Sequence, residues 1–153
     1  MARTPAQLER ATQVAIVRWL RLVLPRGSIV AAVANEARAS SADPHARARY
    51  YEARKAAGVV TGFPDLILAL PDRVMFLEMK RPKGGVVSWQ QALLHDALQA
   101  LGHPVGIAVS IETARGFLRR HGVALSEPAG LPVADVAVRY EKPPSFANDA
   151  MPF

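Results

Sequence analysis

GVVTGFPDLILALPDRVMFLEMKRPKG, Gly58 to Gly84, is the stretch that decides the fold. Two apolar runs, Asp65 to Leu70 and Val74 to Lys80, flank the turn pair Pro71-Asp72, the pattern of a β-hairpin. A turn symmetric about that pair sets Leu70 against Arg73, Ala69 against Val74 and Asp65 against Glu78. Directly opposed strand residues hold their Cβ atoms about 5 Å apart. Two carboxylates there repel unless one binds a proton or a cation lies between them. Side chains alternate along a strand, so Glu78 and Lys80 share one face and Met75, Leu77 and Met79 take the other. The expected result is a cluster of Asp65, Glu78 and Lys80 at one end of a hairpin whose pattern otherwise calls for core.

The chain of 153 residues fits one domain and is long enough to bury a core without staples. It has no cysteine, which excludes disulfides and thiolate zinc sites. A formal charge of +6 and a pI near 10.3 favour a polyanionic partner such as DNA. The competing account is an arginine-rich composition without functional meaning. The lysines are Lys55, Lys80, Lys83 and Lys142, so in a chain that otherwise uses arginine position 80 looks chosen for a compact, tunable ammonium. No apolar run approaches the roughly 20 residues of a membrane span. No signal-peptide pattern opens the chain, and the expectation is a cytoplasmic protein with no membrane partner.

Outward from the hairpin, Thr4, Pro5 and Gln7 form a capping box that opens a helix to about Leu24, with Leu8, Ala11, Ala15, Trp19 and Leu22 as its apolar stripe. Glu9 and Gln13 lie beside that stripe, and their plain reading is solvated helix surface. Ser28 to Val33 reads as a short strand, followed by Asn35-Glu36. His45 to Ala57 reads as a helix capped by Gly58, in which Arg47, Arg49, Arg54 and Lys55 interleave with Tyr50 and Tyr51. Basic residues among tyrosines suit phosphates and bases; a solvated helix face is the alternative. Gly62 permits a tight approach or a positive φ. Arg81 and Lys83 stand in a glycine-containing loop able to lie close to a phosphodiester backbone. Ser88 and Gln91 form a second capping box, Val105 to Ser110 reads as a strand, and Ser110 caps a helix through His121. His95 and His103 lack metal-ligand spacing. Residues 1–125 make the expected domain, and the proline-rich residues 126–153 an arm or tail.

Pro64-Asp65 followed by Glu78-Met79-Lys80 resembles the signature of the PD-(D/E)xK nuclease superfamily. The ordered set GVVTGFPDLIL, FLEMKRPKG, SWQQ and LGHPVGIAVS resembles its VRR-NUC branch, of stand-alone phage or bacterial type, across roughly Ala31 to Leu118. The order helix, strand, helix, hairpin, helix, strand, helix gives an α/β fold with a central mixed sheet of about four strands flanked by helices and the acidic cluster at an edge of that sheet, and the resemblance implies a restriction-endonuclease-like core. It adds the main-chain carbonyl of Met79 as a third metal ligand, places Gln91 near the metal, and gives Glu9 of the first helix the part of a further acid, with Glu36 as its rival.

Mg²⁺ or Mn²⁺ suits two carboxylates plus substrate oxygens, with Asp65 and Glu78 as ligands and Lys80 beside them. The expected activity is metal-dependent hydrolysis of DNA phosphodiester bonds in a groove lined by Arg47, Arg49, Arg54, Lys55, Arg81 and Lys83. Nothing in the sequence reads bases, so a structure-specific endonuclease is expected. Likeness to Holliday-junction resolvases implies branched DNA and a homodimer, since two symmetric strands need two sites. The alternatives are a flap- or nick-type nuclease, a catalytically silent DNA-binding module, and an enzyme of small phosphorylated compounds, the last disfavoured by the lack of a glycine-rich nucleotide fingerprint.

Overall fold

The computed structural model describes residues 4–34, 42–83 and 85–144. In chain order the elements are α1 (Pro5–Val23), β1 (Ile29–Ala32), α2 (Pro44–Ala56), β2 (Leu66–Ala69), β3 (Val74–Met79), β4 (Val86–Val87), α3 (Trp89–Ala100), β5 (Val105–Ala108), α4 (Ile111–Arg120) and β6 (Arg139–Tyr140). Four strands form a mixed sheet in the order β1-β2-β3-β5, antiparallel except for the parallel pair β3 and β5. Helices flank it, so the chain is a mixed α/β protein. No helix among the described residues is long and apolar enough to cross a membrane.

The hairpin has the expected register. Ala69 pairs with Val74 and Leu66 with Leu77, and the Leu70 N–H donates to the Arg73 carbonyl across the turn. Alternation then sorts the side chains. Leu66, Leu68, Met75, Leu77 and Met79 enter the main core with Ile16 and Leu20 of α1 and Phe117 and Leu118 of α4. Phe76 packs on the opposite face with Leu94 and Leu98 of α3, and Phe63 and Ile67 join them. On the main-core face, beside Leu77, Gly106 of β5 is required, because a Cβ at that position would come within 2.5 Å of the Phe117 ring.

Three helix starts are built as the sequence specifies, with capping boxes at Thr4, Ser88 and Ser110. The apolar stripe of α1 is different from the expected one. Leu8 and Leu22 are exposed, Trp19 is half-buried, and the buried positions are Ile16, Leu20 and Val23. α1 carries apolar residues on more than one face, so several stripes satisfy a 3.6-residue period and only the sheet selects among them.

Residues beyond α4 strap the body. Glu127 accepts from Arg115 Nε at 2.7 Å and from Trp19 Nε1 at 3.1 Å. Arg115 also donates to the Pro132 carbonyl, and the Ala134 N–H donates to the Glu112 carbonyl. β6 then pairs in parallel with β4. The strap thus runs from α4 to the start of α3, and its residues 135–138 line a hollow of about 730 Å³ together with Val105, Gly106 and Ile107 of β5. Glu36 lies outside the described residues, as do Phe146 and Phe153 of the expected arm.

Candidate active site

The site forms where β2 and β3 open out toward the start of α3. Continuing the hairpin register one step past Leu66 and Leu77 sets Asp65 directly across from Glu78. β3 is an inner strand, so the pair sits at the end of the two central strands and not at a lateral edge of the sheet, as was expected. The backbone of Asp65 is pinned from β1, where the Val33 N–H donates to its carbonyl at 2.8 Å.

Glu78 is 1% exposed. One of its oxygens, Oε1, has Lys80 Nζ at 2.7 Å and accepts from Gln91 Nε2. The other, Oε2, is buried with no hydrogen-bond partner. Burial, and then the negative charge of Asp65, raise the Glu78 pKa from 4.5 to about 7, against the opposing pull of Lys80 and Gln91.

Gln91 is at once a cap and a member of the cluster. Its Oε1 accepts from the Ser88 N–H and from Lys80 Nζ, both at 3.0 Å. Those two donors fix which end of the amide is oxygen, and so turn the NH₂ toward Glu78. Gly62 supports this arrangement. With φ at +81°, it lets the chain pass so close that a Cβ would stand 3.3 Å from both Cγ and N of Gln91.

Met79 contributes through its backbone. Its N–H donates to Asp65 Oδ2 at 2.8 Å. The register sets Pro64 beside Met79, and proline has no N–H. The Met79 carbonyl therefore finds no donor in β2.

A divalent cation fits this donor set. Two facing carboxylates, a buried oxygen without a partner and a strand carbonyl without its ladder donor are oxygen ligands of the type that Mg²⁺ and Mn²⁺ take. Among the described residues no group of three or more acidic, histidine or cysteine side chains gathers as a metal site.

Glu9 is half-buried on α1, on the line that Gln13, Ile16 and Leu20 continue inward. That helix packs on the sheet face opposite Glu78. Arg47, Arg49 and Lys55 are exposed on α2, and Arg54 is half-buried, donating to Tyr50 Oη and to the Ala34 carbonyl. In the loop after β3, Arg81 is half-buried and Lys83 exposed. His95, set aside in the sequence for lack of metal-ligand spacing, is a buried residue of the site's surroundings. It is 6% exposed in α3, and burial and then the charge of Lys80 lower its pKa from 6.5 to about 4, so the ring is neutral at pH 7. Its place among Leu94 and Leu98 carries no sequence signal apart from helical spacing.

Set against protein-family models, curated proteins and solved structures, the chain matches none.

Proposed function

We propose that this protein is a Mg²⁺- or Mn²⁺-dependent endonuclease of branched or otherwise structured DNA, with the restriction-endonuclease-like core of the VRR-NUC branch its sequence resembles. The observation that carries the reading is the opposed pair Asp65 and Glu78, with a spare buried oxygen on Glu78 and the Lys80 ammonium beside it.

Asp65, Glu78 and the Met79 carbonyl would hold the cation. Once bound, it would supply positive charge that makes water a better nucleophile and offsets the charge of the phosphate. Lys80 stands where an ammonium can orient the attacking water and stabilise charge that develops on the phosphoryl oxygens. Gln91 is a positioning residue that fixes Lys80 and Glu78 relative to each other. The water oxygen forms the new bond to phosphorus while the bond to the leaving nucleoside oxygen breaks, and that oxygen ends protonated. The arginines and lysines of α2 and of the loop after β3 suit the phosphate backbone.

A symmetric junction calls for a homodimer. Exposed Ile29 on β1, the edge strand of the sheet, offers a surface for it. A second reading, a catalytically silent DNA-binding module, is favoured by the absence of a third acid or histidine in the cluster among the described residues.

The test is cleavage of four-way junctions, flaps, nicked duplexes and single strands with Mg²⁺ or Mn²⁺, alongside solution mass. Cutting by the parent and none by Lys80→Ala is expected. Equal cutting by both overturns the mechanism, and binding without cutting by the parent selects the silent module.

A further inference from the structure

We propose that the hollow between α2 and residues 59–62 takes one unpaired base of the DNA strand being cut, with Tyr51 as its stacking surface. The proposal rests on the nuclease reading and narrows its substrate to DNA with an unpaired nucleotide beside the cut.

α2 has no buried residue. Helices of such length are marginal in water when packing adds nothing, so its surface is available to something outside the fold. Its chemistry says what. Arg47, Arg49, Arg54 and Lys55 stand against Glu52 as the one acid within the helix, and a cationic face fits a polyanion. Arg47, Tyr51 and Lys55 recur at every fourth residue and share one side of the helix. A flat ring between two cations matches a strand that alternates bases and phosphates.

The C-terminal half of α2 and the loop after it enclose a hollow of about 230 Å³, walled by Tyr51, Arg54 and Lys55 on one side and residues 59–62 on the other. Tyr51 is 48% exposed, and its ring meets Tyr50 edge-on at 5.5 Å. Bases inside a duplex are already stacked on each other, so a base reaches this wall only where it is unpaired. Glu52 also lines the hollow. Its carboxylate keeps phosphate out of the slot and leaves the arginines and lysine for the phosphates on either side.

The slot adjoins the acidic cluster. Gly62, its far wall, runs so near Gln91 that a Cβ there would stand 3.3 Å from it, and Gln91 donates to Glu78. A base held there places the neighbouring phosphate toward Asp65 and Glu78.

The test uses the full chain in chelator, so that binding is read without cutting. The probes are an oligodeoxynucleotide duplex and the same duplex with a short gap carrying 2-aminopurine at the unpaired position. The parent is expected to bind the gapped probe more tightly and to change 2-aminopurine fluorescence. Tyr51→Ala is expected to lose roughly tenfold affinity for the gapped probe, the order found for one base stack, and none for the duplex. Tyr51→Phe is expected to behave as the parent. Equal parent affinity for both probes, an unchanged 2-aminopurine signal, or the same loss by Tyr51→Ala on both probes overturns the slot. Gap-dependent binding by a protein that cuts nothing refutes the nuclease reading alone, and cutting without it refutes the slot alone.

Discussion

Lys80 Nζ lies 2.7 Å from Glu78 Oε1, and both side chains are largely withdrawn from water, at 13% and 2% exposed. Removing the ammonium strands a buried carboxylate, which in other proteins costs about 3–5 kcal/mol. Glu78 has an escape, because burial and Asp65 already raise its pKa to about 7 and it can take a proton. Lys80→Met should therefore cost several-fold more stability at about pH 8 than at about pH 5.5. Urea unfolding at the two pH values checks this, and an equal loss at both would refute it.

In the cation-free protein, the folded-state value for Glu78 of about 7 stands above its ordinary 4.5. Between those values the folded chain keeps a proton that the unfolded chain has released, so this group makes stability fall as pH rises through the window and level off above it. At about 1.4 kcal/mol per pH unit of separation, the loss is on the order of 3 kcal/mol. His95 acts with the opposite sign, since its value falls from 6.5 to about 4 and stability grows as pH rises between them. Glu78→Gln should remove only the first slope and be more stable than the parent at about pH 8. Thermal unfolding against pH in chelator measures the difference, and parallel curves for parent and variant would contradict it.

A ligand that binds only the folded state stabilises it. Mg²⁺ or Mn²⁺ should raise the Tm of the parent, and chelator should reverse the rise. Asp65→Asn and Glu78→Gln should show little response, while DNA binding in chelator stays within about threefold of the parent, since phosphate contacts carry the affinity. A response undiminished in both variants would place the cation elsewhere.

Gly62→Ala strains a φ of +81° and sets a methyl group against Gln91. Gly58, at +84°, has nothing within 4 Å. Both substitutions should cost about 1–2 kcal/mol in stability. Cutting should fall at least tenfold for Gly62→Ala only, because Gln91 holds Lys80 and Glu78 in place. Paired unfolding and cleavage measurements test this, and matching activities would leave Gln91 without a positioning role.

Glu127 joins the strap to Arg115, Arg119 and Trp19. Burial pushes its pKa up, but hydrogen bonds from Arg115 and Trp19 outweigh that and hold it below the usual value. Glu127→Ala leaves the buried Arg115 guanidinium without its carboxylate and should cost about 3–5 kcal/mol. Proteolysis within residues 128–144 should accelerate in step. An unchanged digestion rate would show that the strap is held by other contacts.

By itself the sequence determined what depends on neighbours along the chain. A two-residue turn and strict alternation decide which face each hairpin residue takes, and a one-residue slip would send Glu78 into the leucine and methionine core. That is why the opposition of Asp65 to Glu78 and the caps at Thr4, Ser88 and Ser110 are legible in the sequence. Tertiary structure alone decided what depends on distant contacts. Putting β5 beside β3 makes β3 an inner strand and buries Glu78 to the point that burial dominates its pKa. Docking the start of α3 turns a helix cap, Gln91, into the link between Lys80 and Glu78. The inward face of α1, the meeting of Trp19 with Glu127 and the pairing of β4 with β6 have the same origin, since periodicity states that a face is apolar but not what will cover it.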